Sequence, residues 1–136
     1  MAAIGLFRQR DPVGAEWLAL NRHGLPLGRL SPRELAGIFM RQGIQYLELG
    51  RLERAEREFE QVLELEPDNE VAHYNLACTY SRWGKVDPAI EHLQKAVELG
   101  FDDVSHMESD TDLDGIRHDP RYKAIIAGIE AARSRQ

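Results

Sequence analysis

The sequence predicts an all-α chain of stacked antiparallel helix pairs, a helical solenoid with an N-terminal arm before it and a capping helix after it. Two stretches carry most of that expectation. "YLELGRLERA" (46–55) and "YSRWGKVDPA" (80–89) align position by position: Tyr46 with Tyr80, Leu49 with Trp83, Gly50 with Gly84, Leu52 with Val86 and Ala55 with Ala89, each pair 34 residues apart. A constant period of that size marks a repeat architecture. Composition agrees, because 43% hydrophobic residues suffice for a packed core. No apolar run nears the roughly 20 residues needed to cross a bilayer.

In chain order, the first element is an arm, residues 1–30. "DPVGAEWLALNRHG" carries helix start and stop signals: Asp11 as N-cap, Pro12 behind it and Gly24 past the end. Val13, Trp17 and Leu20 would share one face, and so short an isolated helix needs a surface to pack on. "SPRE" (31–34) then reads as a capping box, with Ser31 as N-cap, Pro32 at the first helical position and Glu34 reaching back. It opens a body spanning 31–136.

The first unit, 36–69, offers Phe39, Gly43, Tyr46, Leu49, Ala55, Phe59, Val62, Leu63 and Leu65 as a buried helical face. The second, 70–103, offers His73, Ala77, Tyr80, Trp83, Ala89, Leu93, Ala96, Val97 and Leu99. Small residues recur where helices must approach closely, and large ones recur around them. Gly50 and Gly84 fall where a helix C-terminus calls for the left-handed conformation, so each is a joint between antiparallel helices. Pro67 closes the first unit, since it cannot continue a helix. Residues 104–136 break the pattern: Thr111 and Asp114 stand where glycine and tyrosine belong. "DPRYKAIIAGIEAAR" then starts a helix at Asp119 and Pro120, with Tyr122, Ile125, Ile126 and Ile129 in one stripe. A degenerate third helix and a capping helix follow, as a stack of repeats needs a covered end.

These residues resemble the tetratricopeptide repeat family, whose pattern is W-x2-L-G-x2-Y, A-x3-F and P. "FMRQGIQY", "AEREF" and Pro67 match it in the first unit, with Gln42 where the family prefers leucine. "HYNLACTY" and "AIEHL" match it in the second, with Phe101 in place of the closing proline. The resemblance implies a right-handed α-solenoid whose concave face, lined by the first helix of each pair, binds partners. The inward positions it implies include Met40, Arg41, Ile44, Leu47 and Glu48 in the first unit, and Val71, Tyr74, Asn75, Cys78 and Arg82 in the second. Such a groove, apolar with charges around it, suits a protein or peptide with apolar anchors. The residues with which some family members clamp a C-terminal carboxylate are mostly missing: Met40 stands at the lysine position and Ile44 at an asparagine position, Ser105 and Ser109 stand where the third repeat would bring cations, and only Asn75 agrees. The alternative is a structural subunit whose groove, around Met40, Ile44, Leu47 and Tyr74, is filled by its own arm or by that of a second copy, giving a homodimer.

Other chemistry is sparse. The net charge of −6 argues against broad nucleic-acid binding, which needs clustered Lys and Arg. The charge is uneven: residues 1–35 carry five arginines against three acids, leaving −8 for the rest. "DTDLDG" (Asp110–Gly115) opens like a calcium loop, but Arg121 stands where the bidentate glutamate belongs. Calcium binding there is kept as a third alternative; the aspartates otherwise read as helix caps. The five histidines form no i, i+4 pair, and the single cysteine, Cys78, reads as a small apolar filler. No nucleophile, phosphate or dinucleotide motif is present. The expectation is a non-enzymatic, soluble, cytoplasmic binding protein with no cofactor or metal and no nucleic-acid or membrane partner.

Overall fold

The computed structural model describes residues 30–135. The features expected of the arm, among them the Asp11 cap and the face of Val13, Trp17 and Leu20, lie outside the described residues. The chain forms α1 (Pro32–Glu48), α2 (Leu52–Leu65), α3 (Glu70–Arg82), α4 (Val86–Glu98), α5 (Val104–Ser109), a 3-10 turn (Thr111–Leu113) and α6 (Pro120–Ser134). No strand occurs among the described residues. α1 packs on α2 and α3 on α4, α2 rests against α3, the 3-10 turn lies on α3, and α6 closes the far side of α4.

The joints follow from glycine. Gly50 and Gly84 have φ of 76° and 78°, a region other residues enter only at a steric cost. At this left-handed turn the glycine's own amide and the next one fold back: Gly50 N–H donates to Leu47 O (3.0 Å) and Arg51 N–H to Tyr46 O (2.8 Å). The same pair recurs at Gly84 and Lys85, onto Ser81 O (3.2 Å) and Tyr80 O (2.9 Å), so otherwise orphaned helix-end carbonyls are satisfied. Gly100, with φ of 113°, ends α4 in the same way. The capping box is present, with Glu34 N–H on Ser31 Oγ (3.0 Å) and Ser31 N–H on Glu34 Oε1 (2.9 Å). Asp119 caps α6 by accepting from Arg121 N–H at 2.8 Å.

The repeat's small residues sit where helices meet. Ala55, Ala77, Ala89 and Ala96 are fully buried, and a Cβ at Gly43 would lie 2.5 Å from Phe59 Cε1. Phe39, Phe59, Val62 and Leu93 fill the space around them. Tyr122, Ile125, Ile126 and Ile129 bury as the α6 stripe predicts. One expected core residue is not in the core: Leu49 is 70% exposed. It is the C-cap of α1, beyond the last helical residue and next to the left-handed glycine, so it turns out of the buried stripe. Its counterpart Trp83 is held instead by Lys85 Nζ, 3.7 Å from its ring centre.

Gln42, the departure from the family's leucine, carries a buried Oε1 without a hydrogen-bond partner among the described residues. Gln42→Leu should therefore stabilise the protein by about 1–3 kcal/mol in denaturant unfolding, the usual cost of such a group. Ala55→Leu and Ala89→Leu should each cost about 1–3 kcal/mol by overpacking. Gly128, on the exposed side of α6 with open space for a Cβ, should gain about 0.5–1 kcal/mol on mutation to alanine. Melting of both leucine variants like the parent would contradict the helix register.

Candidate binding groove

α1 and α3 supply the residues expected on the concave face, and their surroundings divide these into two groups. Along the second unit the face is covered by residues 101–117. Phe101 stacks on Tyr74, with ring centres 4.3 Å apart and planes within 9°. Tyr74 Oη–H donates to Asp110 Oδ2 at 2.6 Å, a short bond to a charged acceptor. The Cys78 thiol approaches the same oxygen at 3.7 Å, and His106 Nε2 lies 3.4 Å from it. Asp110 Oδ1 accepts from Asp112 N–H (3.0 Å), so one carboxylate caps the 3-10 turn and anchors it to α3. Arg117 ties the segment together by donating to Met107 O (3.0 Å) and Asp110 O (2.5 Å). Gly115 lies directly against the Ser81 backbone, where a Cβ would collide with the carbonyl.

This covering corrects the expected site. Tyr74 is 3% and Cys78 1% exposed, so neither lines an open surface. Leu47 is buried as well, its carbonyl accepting from Arg82 Nη1. Burial and the neighbouring Asp110 push the Cys78 thiol well above its ordinary range; burial and its bond to Asp110 do the same for the Tyr74 phenol. The other expected residues are accessible. Arg41, Glu48 and Arg82 are exposed, Ile44 and Val71 are exposed apolar side chains, and Met40 and Asn75 are half-buried. Asn75 Nδ2 meets Met40 Sδ at 3.4 Å and so bridges α3 to α1. Arg82 reaches toward Asp112 at 3.8 Å.

The open part widens into a groove of about 710 Å³ between the start of α1 and the α2–α3 turn. Arg33, Ala36, Gly37 and Met40 form one wall, and residues 66–71 form the other. That second wall brings Glu66, Asp68 and Glu70 together with the apolar Val71. Glu66 Oε1 accepts from the Asn69 side chain (2.8 Å), and Asn69 Oδ1 caps α3 by accepting Ala72 N–H (2.9 Å).

The three carboxylates of "DTDLDG" do not gather into one cluster. Asp110 is engaged as described, Asp114 accepts from Arg117 Nε at 3.1 Å, and Arg121 pairs with Asp119 (3.0 Å) and Asp87 (2.9 Å). Cys78, Asp110 and Asp112 offer ligand atoms within 4.8 Å of one another. Burial and two nearby carboxylates hold that thiol protonated, the opposite of what a metal ligand needs. Sequence reasoning missed one side-chain pair: His73 and His92, 19 residues apart on different helices, meet with Nδ1 atoms 3.1 Å apart. Spacing along a single helix carries no sign of such a pair.

Paired helices with glycine joints at a fixed period, packed pair upon pair, define a helical-repeat protein. Residues 46–109 match the tetratricopeptide repeat family, which supports a protein of that family. The chain is also similar to a chloroplastic protein of Arabidopsis thaliana, with 33% identity over 90 residues. That match covers 64% of this chain and 27% of the relative, so the chain spans about a quarter of that protein's length. Tetratricopeptide repeats generally mediate protein–protein interaction and are typically non-catalytic. No described helix is long and apolar enough to cross a membrane.

Because Tyr74 is a core residue here, Tyr74→Ala should cost about 3–5 kcal/mol in denaturant unfolding, as other large aromatic truncations do. A loss below about 1 kcal/mol, ordinary for a surface site, would contradict the docked segment.

Proposed function

We propose that the chain is a non-enzymatic protein-interaction module, an adaptor or scaffold, that binds a protein or peptide with apolar anchors along the open half of its concave face. The observation that carries this reading is the accessibility of Ile44 (36%) and Val71 (41%) beside Met40, while Tyr74 and Cys78, which hold the places of Met40 and Ile44 in the second unit, are covered by the chain itself. Exposed apolar side chains gathered in a concavity mark a contact surface. Glu66, Asp68 and Glu70 on one wall favour a partner whose anchor is flanked by Lys or Arg. Arg41, Glu48, Asn75 and Arg82 border the apolar strip and would fix the partner's register.

A second reading is favoured by charge and by where the groove begins. Residues 1–30 carry Arg8, Arg10, Arg22 and Arg29 against Asp11 and Glu16, with Trp17, Leu18 and Leu20 as apolar anchors. They join the body at Leu30, beside the apolar cluster of Leu35 and Ala36 and next to the groove wall at Arg33. In this reading residues 1–30 form an arm separate from a body at 31–136, and the arm is the occupant, in its own chain or across a homodimer. A photo-crosslinking residue at Val71 tests both readings, with the exposed Glu64 of α2 as control. Adducts from Val71 and not from Glu64 are expected, suppressed by Ile44→Asp. Mapping them to residues 1–30 selects the arm, and mapping them to another protein selects the adaptor. Equal adducts from Glu64 would place binding on the opposite face and overturn both.

A further inference from the structure

The His73–His92 pair lies behind the groove wall rather than in the groove. Its ring centres are 5.3 Å apart with planes 27° from parallel. The Nδ1 atoms are 3.1 Å apart, which is 2.2 Å less than the centre separation. That difference is about twice the centre-to-atom radius of an imidazole, so the two Nδ1 atoms point head-on at each other. Only one of them can carry a proton in this geometry. The other nitrogen of His73, Nε2, lies 3.2 Å from the Pro67 carbonyl, which can only accept, so Nε2 carries a proton. In the neutral pair His73 Nδ1 is then the acceptor and His92 Nδ1–H the donor.

One added proton is tolerated, because it can enter at His92 Nε2 and leave the central bond in place. A second has no position except His73 Nδ1, where two N–H groups would face each other at 3.1 Å. The facing groups from the packed helices do not remove this conflict. Glu56 of α2 favours the charged form of His92, but its Oε2 already accepts from Tyr80 Oη–H at 2.5 Å. Tyr80 of α3 lies with its ring 5.6 Å from that of His92 and brings no charge. Burial and His73 itself disfavour His92's charged form and lower its pKa.

We propose that the His73–His92 pair is a proton-operated latch on the 66–71 turn, closed while it carries at most one added proton and opened by the second. Opening separates the rings, frees the Pro67 carbonyl from His73 and releases the turn that forms the acidic wall of the groove. The inference rests on that groove being the binding surface, and it names the regulation of the same site.

The test uses the full chain without any partner, so its outcome is independent of the crosslinking result. Histidine side-chain resonances and amide hydrogen exchange at Asn69 and Ala72 are followed together as pH falls. The pair should take up two protons in separated steps, as coupled sites do. Protection of the turn amides, corrected for intrinsic exchange, should fall about tenfold per pH unit through the second step, since opening then requires one further proton. His92→Gln should hold the turn closed, because an amide can present either a donor or an acceptor to His73 Nδ1. If both histidines titrate independently, or if parent and His92→Gln lose turn protection together, the latch is overturned. A His73→Gln variant gives the same contrast from the other side should His92→Gln fold poorly.

Discussion

The Asp110 carboxylate, received by α3, is the contact on which the rest of the structure depends. One of its oxygens takes the Tyr74 hydroxyl and the Cys78 thiol, and the other caps the 3-10 turn. A partly buried carboxylate is costly without such donors, and removing either partner strands the other. The segment therefore either docks as a unit or not at all. Phe101 against Tyr74 supplies apolar area beneath that polar lock, and Met107, Leu113 and Ile116 carry the burial on toward α6. A repeat stack needs its last apolar face covered, and here an irregular segment covers it in place of a third full helix pair.

That docking gives the concave face its polarity. Around Tyr74 and Cys78 the face is closed by residues 101–117; along α1 and at Val71 it stays open, beside an acidic wall from the α2–α3 turn. The two halves arise from the same repeat register, yet one has become core and the other surface. The first is held by hydrogen bonds to a charge, which favours rigidity. The second is bounded by a turn whose position depends on Asn69, Pro67 and the histidine pair, so its shape is tied to local equilibria that cost less to shift.

Much of this was legible in the sequence, for a definite reason. A period of 34 residues repeats every local decision, so the glycine joints at 50 and 84, the alanines at the helix contacts and the cap at Ser31 each announce themselves twice or by a known pattern. The tetratricopeptide family could be read from the same residues. The covering of Tyr74 and Cys78 could not, because Asp110 lies 36 and 32 residues from them and falls in a stretch that matches no repeat. Three aspartates at alternate positions look alike on paper; only packing separates the anchor Asp110 from Asp114, which faces Arg117 at the surface. Leu49 was misplaced because helical spacing says nothing about the residue after the helix ends. The His73–His92 contact escaped for a related reason, since it joins two helices rather than two turns of one.

The division of the concave face into a closed and an open half is tested most directly with a thiol reagent. The chain has one cysteine, Cys78, on the closed half. Its labelling rate in native buffer is compared with that of a Val71→Cys, Cys78→Ala variant, whose thiol sits on the open half. The account predicts that Val71→Cys labels at the rate of a free thiol, while Cys78 labels only as fast as the docked segment opens or the protein unfolds, slower by orders of magnitude given burial this complete. Comparable rates at the two positions would mean that residues 101–117 do not cover α3, and the account would fall with them.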